Sequence, residues 1–195
     1  MTAECYTKRI NKKDIGNRSI FGDGATASFL TQKDIPKIGD FVLGTDGLGV
    51  KNLYVRNGGI RYPSHSRKKK IYGSGNIYTN EDIFMDGPEI FNFTIGAVPA
   101  LVAETMKKNK VQIEDIKLFI YHQANTYILN FLRKLSKIPE EKFYIDMYDT
   151  GNTVSNTIPI ALSKLIETHK ICKDDKILIA GFGVGYSYGA TVITI

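Results

Sequence analysis

His122-Gln123-Ala124-Asn125 follows the apolar run Leu118-Phe119-Ile120-Tyr121, and Asn152 stands in the next polar turn, Tyr148-Asp149-Thr150-Gly151-Asn152-Thr153. A histidine donates a hydrogen bond from one ring nitrogen while the other fixes its orientation, and a carboxamide donates without titrating. Each of these two residues sits at the end of an expected strand, the edge at which an open α/β sheet presents its chemistry. A third apolar run, Ile177-Leu178-Ile179-Ala180, leads into Gly181-Phe182-Gly183-Val184-Gly185, so a glycine-rich turn opens at the same edge. Three signals on successive strands point to one site, built for hydrogen bonding. No metal-ligand set is read from the sequence.

The elements that position these residues alternate. Pro88 suits the first turn of a helix. Phe91, Ile95, Val98, Val102 and Met106 then recur at spacings that make one apolar stripe, with Pro99 expected to kink it. A strand over 118–121, a helix over 125–135, a strand over 143–147, a helix over 155–169 and a strand over 177–180 follow, and 188–195 reads as a closing antiparallel strand. This order predicts an α/β fold with one layered, mixed five-stranded sheet flanked by helices. Upstream, 19–30 reads as strand, tight Gly22-Asp23-Gly24 turn and strand. Strand-like runs between Phe41 and Asn57 are broken by glycines, and 58–82 is polar, Gly/Ser/Lys-rich and expected to pass over the site as a surface excursion.

At 195 residues the chain buries one substantial core, and its 43% apolar composition is ordinary for a soluble domain. No run approaches the roughly 20 apolar residues of a membrane span. The start, Met1-Thr2-Ala3-Glu4, lacks the features of a secretory signal, and Cys5 and Cys172 are too few for a disulfide framework, so a cytoplasmic location and no membrane association are expected. The net charge of +6 favours acidic partners. Part of that excess is the run Arg67-Lys68-Lys69-Lys70, read as a solvated loop beside Pro63-Ser64-His65-Ser66. Without stacking aromatics around it, nucleic-acid binding is not expected.

The order HQAN, then GNT, then GFGVGY before a terminal strand resembles the C-terminal half of 3-oxoacyl-(acyl-carrier-protein) synthase III, a ketoacyl synthase of the thiolase superfamily. Phe21-Gly22-Asp23-Gly24-Ala25 and Met85-Asp86-Gly87-Pro88-Glu89-Ile90-Phe91 extend the likeness upstream in family order. The resemblance implies a thiolase-like duplicated fold. In it, 1–35 would be the tail of the N-terminal half, 36–84 a loop-rich excursion and 85–195 the C-terminal domain. Almost all of the first half would then be absent, and the chain would be a fragment, a truncated product or one piece of a split enzyme.

Carried onto this sequence, the resemblance implies that His122 and Asn152 stabilise the enolate formed when a malonyl thioester loses carbon dioxide, with Asn125 a supporting partner. It implies an oxyanion or glycine loop at Gly183, Val184 and Gly185, and substrate contacts at Gly87, Phe91, Ala124 and Phe182. Arg133, Lys134 and Lys137 would offer a basic face to an acidic carrier. The substrates would be thioesters of coenzyme A and of carrier-bound phosphopantetheine, with no covalently bound cofactor. The partners would be acyl-CoA, acyl carrier protein, the chain's own N-terminal half and, at full length, a second copy in a homodimer. The sequence departs from the family pattern at Val184, Pro88 and Tyr127, where the family commonly has Gly, Asn and Arg. Neither Cys5 nor Cys172 matches the family's nucleophile, so the chain alone is expected to form no acyl-enzyme. A non-catalytic thiolase-like partner or dimerisation subunit is the alternative. A Cys-His-Asn hydrolase using Cys5, His122 and Asn152 is a third reading, without the flanking signature of that class.

Overall fold

Alternation along Leu118–Tyr121 decides how the sheet is layered. Phe119 and Tyr121 enter one core with Leu178, Ala180 and Phe182, whereas Ile120 enters a second with Ala161, Leu165 and Ile177. Both faces of the strand are thus buried, which is why it reads as a continuous apolar run. A computed structural model describes residues 1–32, 35, 37–63, 68–73 and 75–195. The residues expected to flank the basic loop, with Arg67 itself, lie largely outside them.

In chain order the strands are β1 Thr2–Glu4, β2 Gly24–Thr26, β3 Val42–Thr45, β4 Leu53–Val55, β5 Lys70–Tyr72, β6 Asn76–Tyr78, β7 Ile83–Met85, β8 Leu118–Tyr121, β9 Phe143–Tyr144, β10 Lys176–Gly183 and β11 Ser187–Thr194. The helices are α1 Ile15–Arg18, α2 Gly87–Lys108, α3 Thr126–Leu135 and α4 Thr157–Glu167. The main sheet runs β3-β11-β10-β8-β9, with β10, β8 and β9 parallel and β11 antiparallel to both of its neighbours. This is the mixed five-stranded sheet expected. Helices α2 and α3 cover one face through Val98, Leu101, Val102, Leu129 and Leu132, and α4 covers the other through Ala161 and Leu165. Each fully buried Leu or Ile contributes about 1.5–3 kcal/mol, so these two layers hold the strand ends in place.

Several local expectations change. Between 19 and 30 only Gly24–Thr26 is strand, and it pairs with β1 rather than with its own preceding residues. The alternation there was loose, and Phe29 and Leu30 are exposed. Strand β9 stops at Tyr144, because the next backbone N–H but one, that of Asp146, donates instead to the Gln123 side chain at 2.8 Å. Helix α2 continues through Pro99 to Lys108, and its buried residues are Thr94, Val98, Leu101, Val102 and Thr105, so of the stripe read in sequence Val98 and Val102 are buried while Phe91, Ile95 and Met106 are half-buried. The excursion over 58–82 holds the hairpin β5-β6, which packs aside. Tyr72 Oη donates to the buried Asp14 carboxylate at 2.6 Å, and none of the segment's described residues lines the cavity below.

Candidate active site

Four consecutive residues at the end of β8 divide the labour of the site. The His122 N–H donates to the Ala180 carbonyl at 2.8 Å and prolongs the β8–β10 ladder by one rung, so the imidazole leaves from a fixed backbone. By alternation it falls on the same side as Ile120, the α4 side, and there its Nδ1 lies 2.9 Å from the hydroxyl of Thr157, the first residue of α4. The buried Gln123 is a staple. Its Nε2 donates to the Tyr121 and Tyr144 carbonyls, and its Oε1 accepts from Asp146 N–H, tying the ends of β8 and β9 together. Ala124 lines the cavity. Asn125 caps α3 by accepting from Ile128 N–H at 2.8 Å, so its side-chain oxygen serves the helix, while the partner given to His122 Nδ1 is Thr157.

Asn152 is held from three directions. Its N–H donates to the Ile20 carbonyl at 2.9 Å, and its carbonyl accepts from Gly22 N–H at 3.0 Å. Its side-chain oxygen accepts from Val154 N–H at 2.9 Å, which fixes the amide plane and leaves the Nδ2 hydrogens as the donors for a ligand. Gly151 has φ +62 and Val154 has φ +56, a left-handed conformation that a β-branched residue seldom adopts. That conformation sets Val154 between the two site residues, its N–H on Asn152 and its carbonyl 3.1 Å from the Thr157 hydroxyl that meets the His122 ring.

His122 and Asn152 line one cavity of about 340 Å³. Its walls come from the N-terminal segment (Tyr6, Phe21), the start of α2 (Gly87, Ile90) and the end of β10 (Phe182, Gly183). None of the described residues lining it carries a formal charge. Desolvation in this wall pushes the His122 pKa down to about 4, against a smaller opposing contribution from the Val154 carbonyl, so the imidazole is neutral near pH 7. Phe182 meets the imidazole edge-on, with ring centroids 5.5 Å apart. Asn152 is 6% exposed. A preoriented pair of neutral donors, Asn152 buried and His122 half-buried, in a wall of low polarity is suited to an oxygen that gains negative charge.

Glycines mark the cavity in a second way. A Cβ built on Gly87 or Gly183 would meet nothing within 4 Å, and neither has a positive φ. Neither backbone conformation nor protein packing requires glycine at these positions; the open space beside them belongs to whatever enters.

The remaining candidates separate. Gly87, Ala124, Phe182, Gly183 and Val184 line the cavity, whereas Gly185, with φ +135, shapes the turn behind it and is absent from the described lining. Phe91 turns away and packs on Phe131 and Tyr127 of α3, at 5.3 and 5.9 Å between ring centroids. Arg133 is paired with Glu140 at 3.1 Å and mostly buried, which removes it from the expected basic face, while Lys134 and Lys137 are exposed. Cys5 and Cys172 are exposed and outside the lining, so the Cys5-His122-Asn152 arrangement does not assemble. Sequence reading missed Thr157, Val154 and the Ile20–Gly22 clamp. The signal available for Thr157 was a hydroxyl at a helix start just after the GNT turn. Among the described residues no helix is long and apolar enough to cross a membrane.

Comparison with known proteins gives one consistent result. A family model described as 3-oxoacyl-[acyl-carrier-protein] synthase III matches residues 1–47, and its C-terminal counterpart matches residues 106–195. A beta-ketoacyl-[acyl-carrier-protein] synthase III of Clostridium tetani is 33% identical over 190 residues, covering 97% of this chain and 57% of that protein. The enzyme of that name from Caldanaerobacter subterraneus is 37% identical over 194 residues, covering 98% and 56%. A crystal structure of a 3-oxoacyl-(acyl-carrier-protein) synthase III superposes with a TM-score of 0.94 at 37% identity, over 100% of this chain and 59% of that one. The Aquifex aeolicus enzyme superposes at 0.80 and 27% identity, over 99% and 56%. The chain therefore spans little more than half the length of the curated relatives it matches.

Proposed function

Because the chain belongs to the 3-oxoacyl-[acyl-carrier-protein] synthase III family, we propose that its cavity is the decarboxylating side of a condensing enzyme's active site. The substrates are a malonyl thioester on acyl carrier protein and an acyl group delivered from coenzyme A. Cleavage of the bond to the carboxylate releases carbon dioxide, and the bonding electron pair passes into an enolate whose charge gathers on the thioester oxygen. His122 Nε2–H and Asn152 Nδ2–H donate to that oxygen. The enolate carbon then attacks an acyl thioester, forming the new carbon–carbon bond and expelling a thiolate. Removing one preorganised donor of this kind costs about 2.7–4 kcal/mol.

The observation that carries this reading is the pair itself: two neutral side chains, each fixed at its far end by a protein partner, in one cavity whose described lining residues bear no charge. The backbone at Gly183 and Val184 borders the same space and would face the acyl thioester. The nucleophilic thiol is supplied by an N-terminal half, since both cysteines here are exposed and outside the lining. The chain alone therefore forms no acyl-enzyme and does not condense. In the same reading, 1–35 completes the first half, 36–84 connects, and 85–195 is the second half. The assembled enzyme is a cytoplasmic homodimer, and exposed Lys134 and Lys137 attract the acidic carrier.

The test joins this chain to the N-terminal half of a relative and follows carbon dioxide release from a malonyl-carrier thioester. His122→Ala is expected to lower release about 10²- to 10³-fold, and a variant as active as the parent would refute the assignment. In parallel, labelled acyl-CoA should transfer no label to the chain by itself.

A further inference from the structure

The cavity receives whichever ring nitrogen of His122 the protein does not hold, so the tautomer decides whether the site donates or accepts there. Two polar groups lie on the held side: the Thr157 hydroxyl, 2.9 Å from Nδ1, and the Val154 carbonyl, 3.1 Å from that hydroxyl. A carbonyl can only accept. Acting alone, it would keep the proton on Nδ1 and turn Nε2 into a bare acceptor toward the cavity. A hydroxyl has one hydrogen and two lone pairs, so it can serve either tautomer. Its hydrogen has two acceptors within reach, Nδ1 and the Val154 carbonyl oxygen at 3.1 Å. That carbonyl already accepts the Thr157 backbone N–H, so it needs nothing from the side chain. At 4% exposure, Thr157 has little water to compete for the bond.

We propose that Thr157 is a positioning residue that donates its hydroxyl hydrogen to Nδ1 of His122, keeping the imidazole proton on Nε2 and facing the cavity as a donor. The inference rests on the enolate reading of the cavity, which needs a donor at that point, and it deepens that reading by naming the group that provides one. Local structure supports the assignment. Thr157 begins α4, the helix that covers the face of β8 on which His122 emerges, and the Thr157 backbone is fixed by its bond to Val154. A β-branched side chain at a helix start has few rotamers, so the hydroxyl stays beside the ring.

Long-range proton–nitrogen correlation spectra of the isolated chain, with nitrogen-15 in histidine, distinguish a protonated ring nitrogen from a bare one without any substrate. The chain has three histidines, so His65→Gln and His169→Gln leave His122 as the single reporter. Near pH 7 the expected spectrum shows Nε2 protonated and Nδ1 bare. Thr157→Val removes the donor and leaves the carbonyl, which shifts the tautomer ratio roughly fivefold or more toward Nδ1–H, the equivalent of one neutral hydrogen bond. Thr157→Ser restores the parent spectrum. A parent protein already protonated on Nδ1 overturns the proposal, whether or not the valine variant folds, and so does a folded valine variant that keeps Nε2–H. If decarboxylation proves independent of His122 while the spectra behave as expected, the enolate reading fails and the role of Thr157 in setting the tautomer stands.

Discussion

Gly22 holds Asn152: its N–H donates to the Asn152 carbonyl at 3.0 Å, while the preceding turn returns the Ile20 carbonyl to the Asn152 N–H at 2.9 Å. The two segments are far apart in sequence and lie as a short parallel bridge between Phe21 and Asn152. A Cβ built on Gly22 would stand 2.0 Å from the Thr150 carbonyl oxygen, so glycine is what permits the approach. The FGDG and GNT signals are two halves of one clamp on a site residue.

Gly22→Ala should therefore act on stability and on the site together. Forcing a methyl against backbone costs about 1–3 kcal/mol, read as a lowered denaturant midpoint. Because the strain is relieved by moving the 150–152 turn, carbon dioxide release in the assembled enzyme should fall as well. A variant with parent stability and parent turnover would show that the clamp does not matter.

Asn152→Asp separates donation from packing. The aspartate keeps an oxygen to accept from Val154 N–H but replaces the Nδ2 donors with a second acceptor that repels an oxyanion. Burying a carboxylate in this uncharged wall should lower stability by at least about 1–3 kcal/mol, while decarboxylation per folded molecule falls at least as far as the roughly 10²- to 10³-fold expected for a lost donor. Decarboxylation per folded molecule close to the parent would assign Asn152 a structural role only.

The low pKa of His122 makes stability depend on pH in a defined window. An unfolded imidazole takes its proton near pH 6.5, whereas the folded one waits until about 4. Between those values the unfolded chain binds the additional proton, so stability falls as pH falls from 6.5 toward 4; above 6.5 this contribution is constant. The loss is on the order of a few kcal/mol. Urea midpoints at pH 7 and pH 4.5 should differ less in His122→Gln than in the parent, and equal differences would mean the imidazole titrates normally.

Gly183→Ala tests the space beside β10. Its Cβ meets no protein atom within 4 Å and its φ is not positive, so the melting temperature should stay within about 1 kcal/mol of the parent in stability terms. The methyl would enter the cavity, and the KM for a malonyl thioester should rise in the assembled enzyme. An unchanged KM would place the thioester elsewhere.

Asn125→Ala should cost about 1 kcal/mol of stability, the usual value for a lost N-cap, since the side chain caps α3 through Ile128 N–H. Decarboxylation per folded molecule should remain close to the parent. A large loss of rate at unchanged stability would restore the supporting role first expected of it.

The sequence by itself determined the alternation of helix and strand after residue 85 and the strand end at which His122 emerges, but not that Asn152 stands in a loop beyond β9 or that Gly181, Phe182 and Gly183 lie within β10. What it determined is local, because hydrophobic periodicity and turn chemistry act over a few residues. It did not show why HQAN contains a glutamine, that Phe91 packs on α3, or that Arg133 is neutralised by Glu140. The tertiary structure decided which backbone grips Asn152, which hydroxyl touches His122, and how far burial lowers the imidazole pKa. Those outcomes depend on segments brought together from opposite ends of the chain, and a hydrogen bond or a desolvated ring is defined by what lies across the contact rather than by its neighbours in sequence.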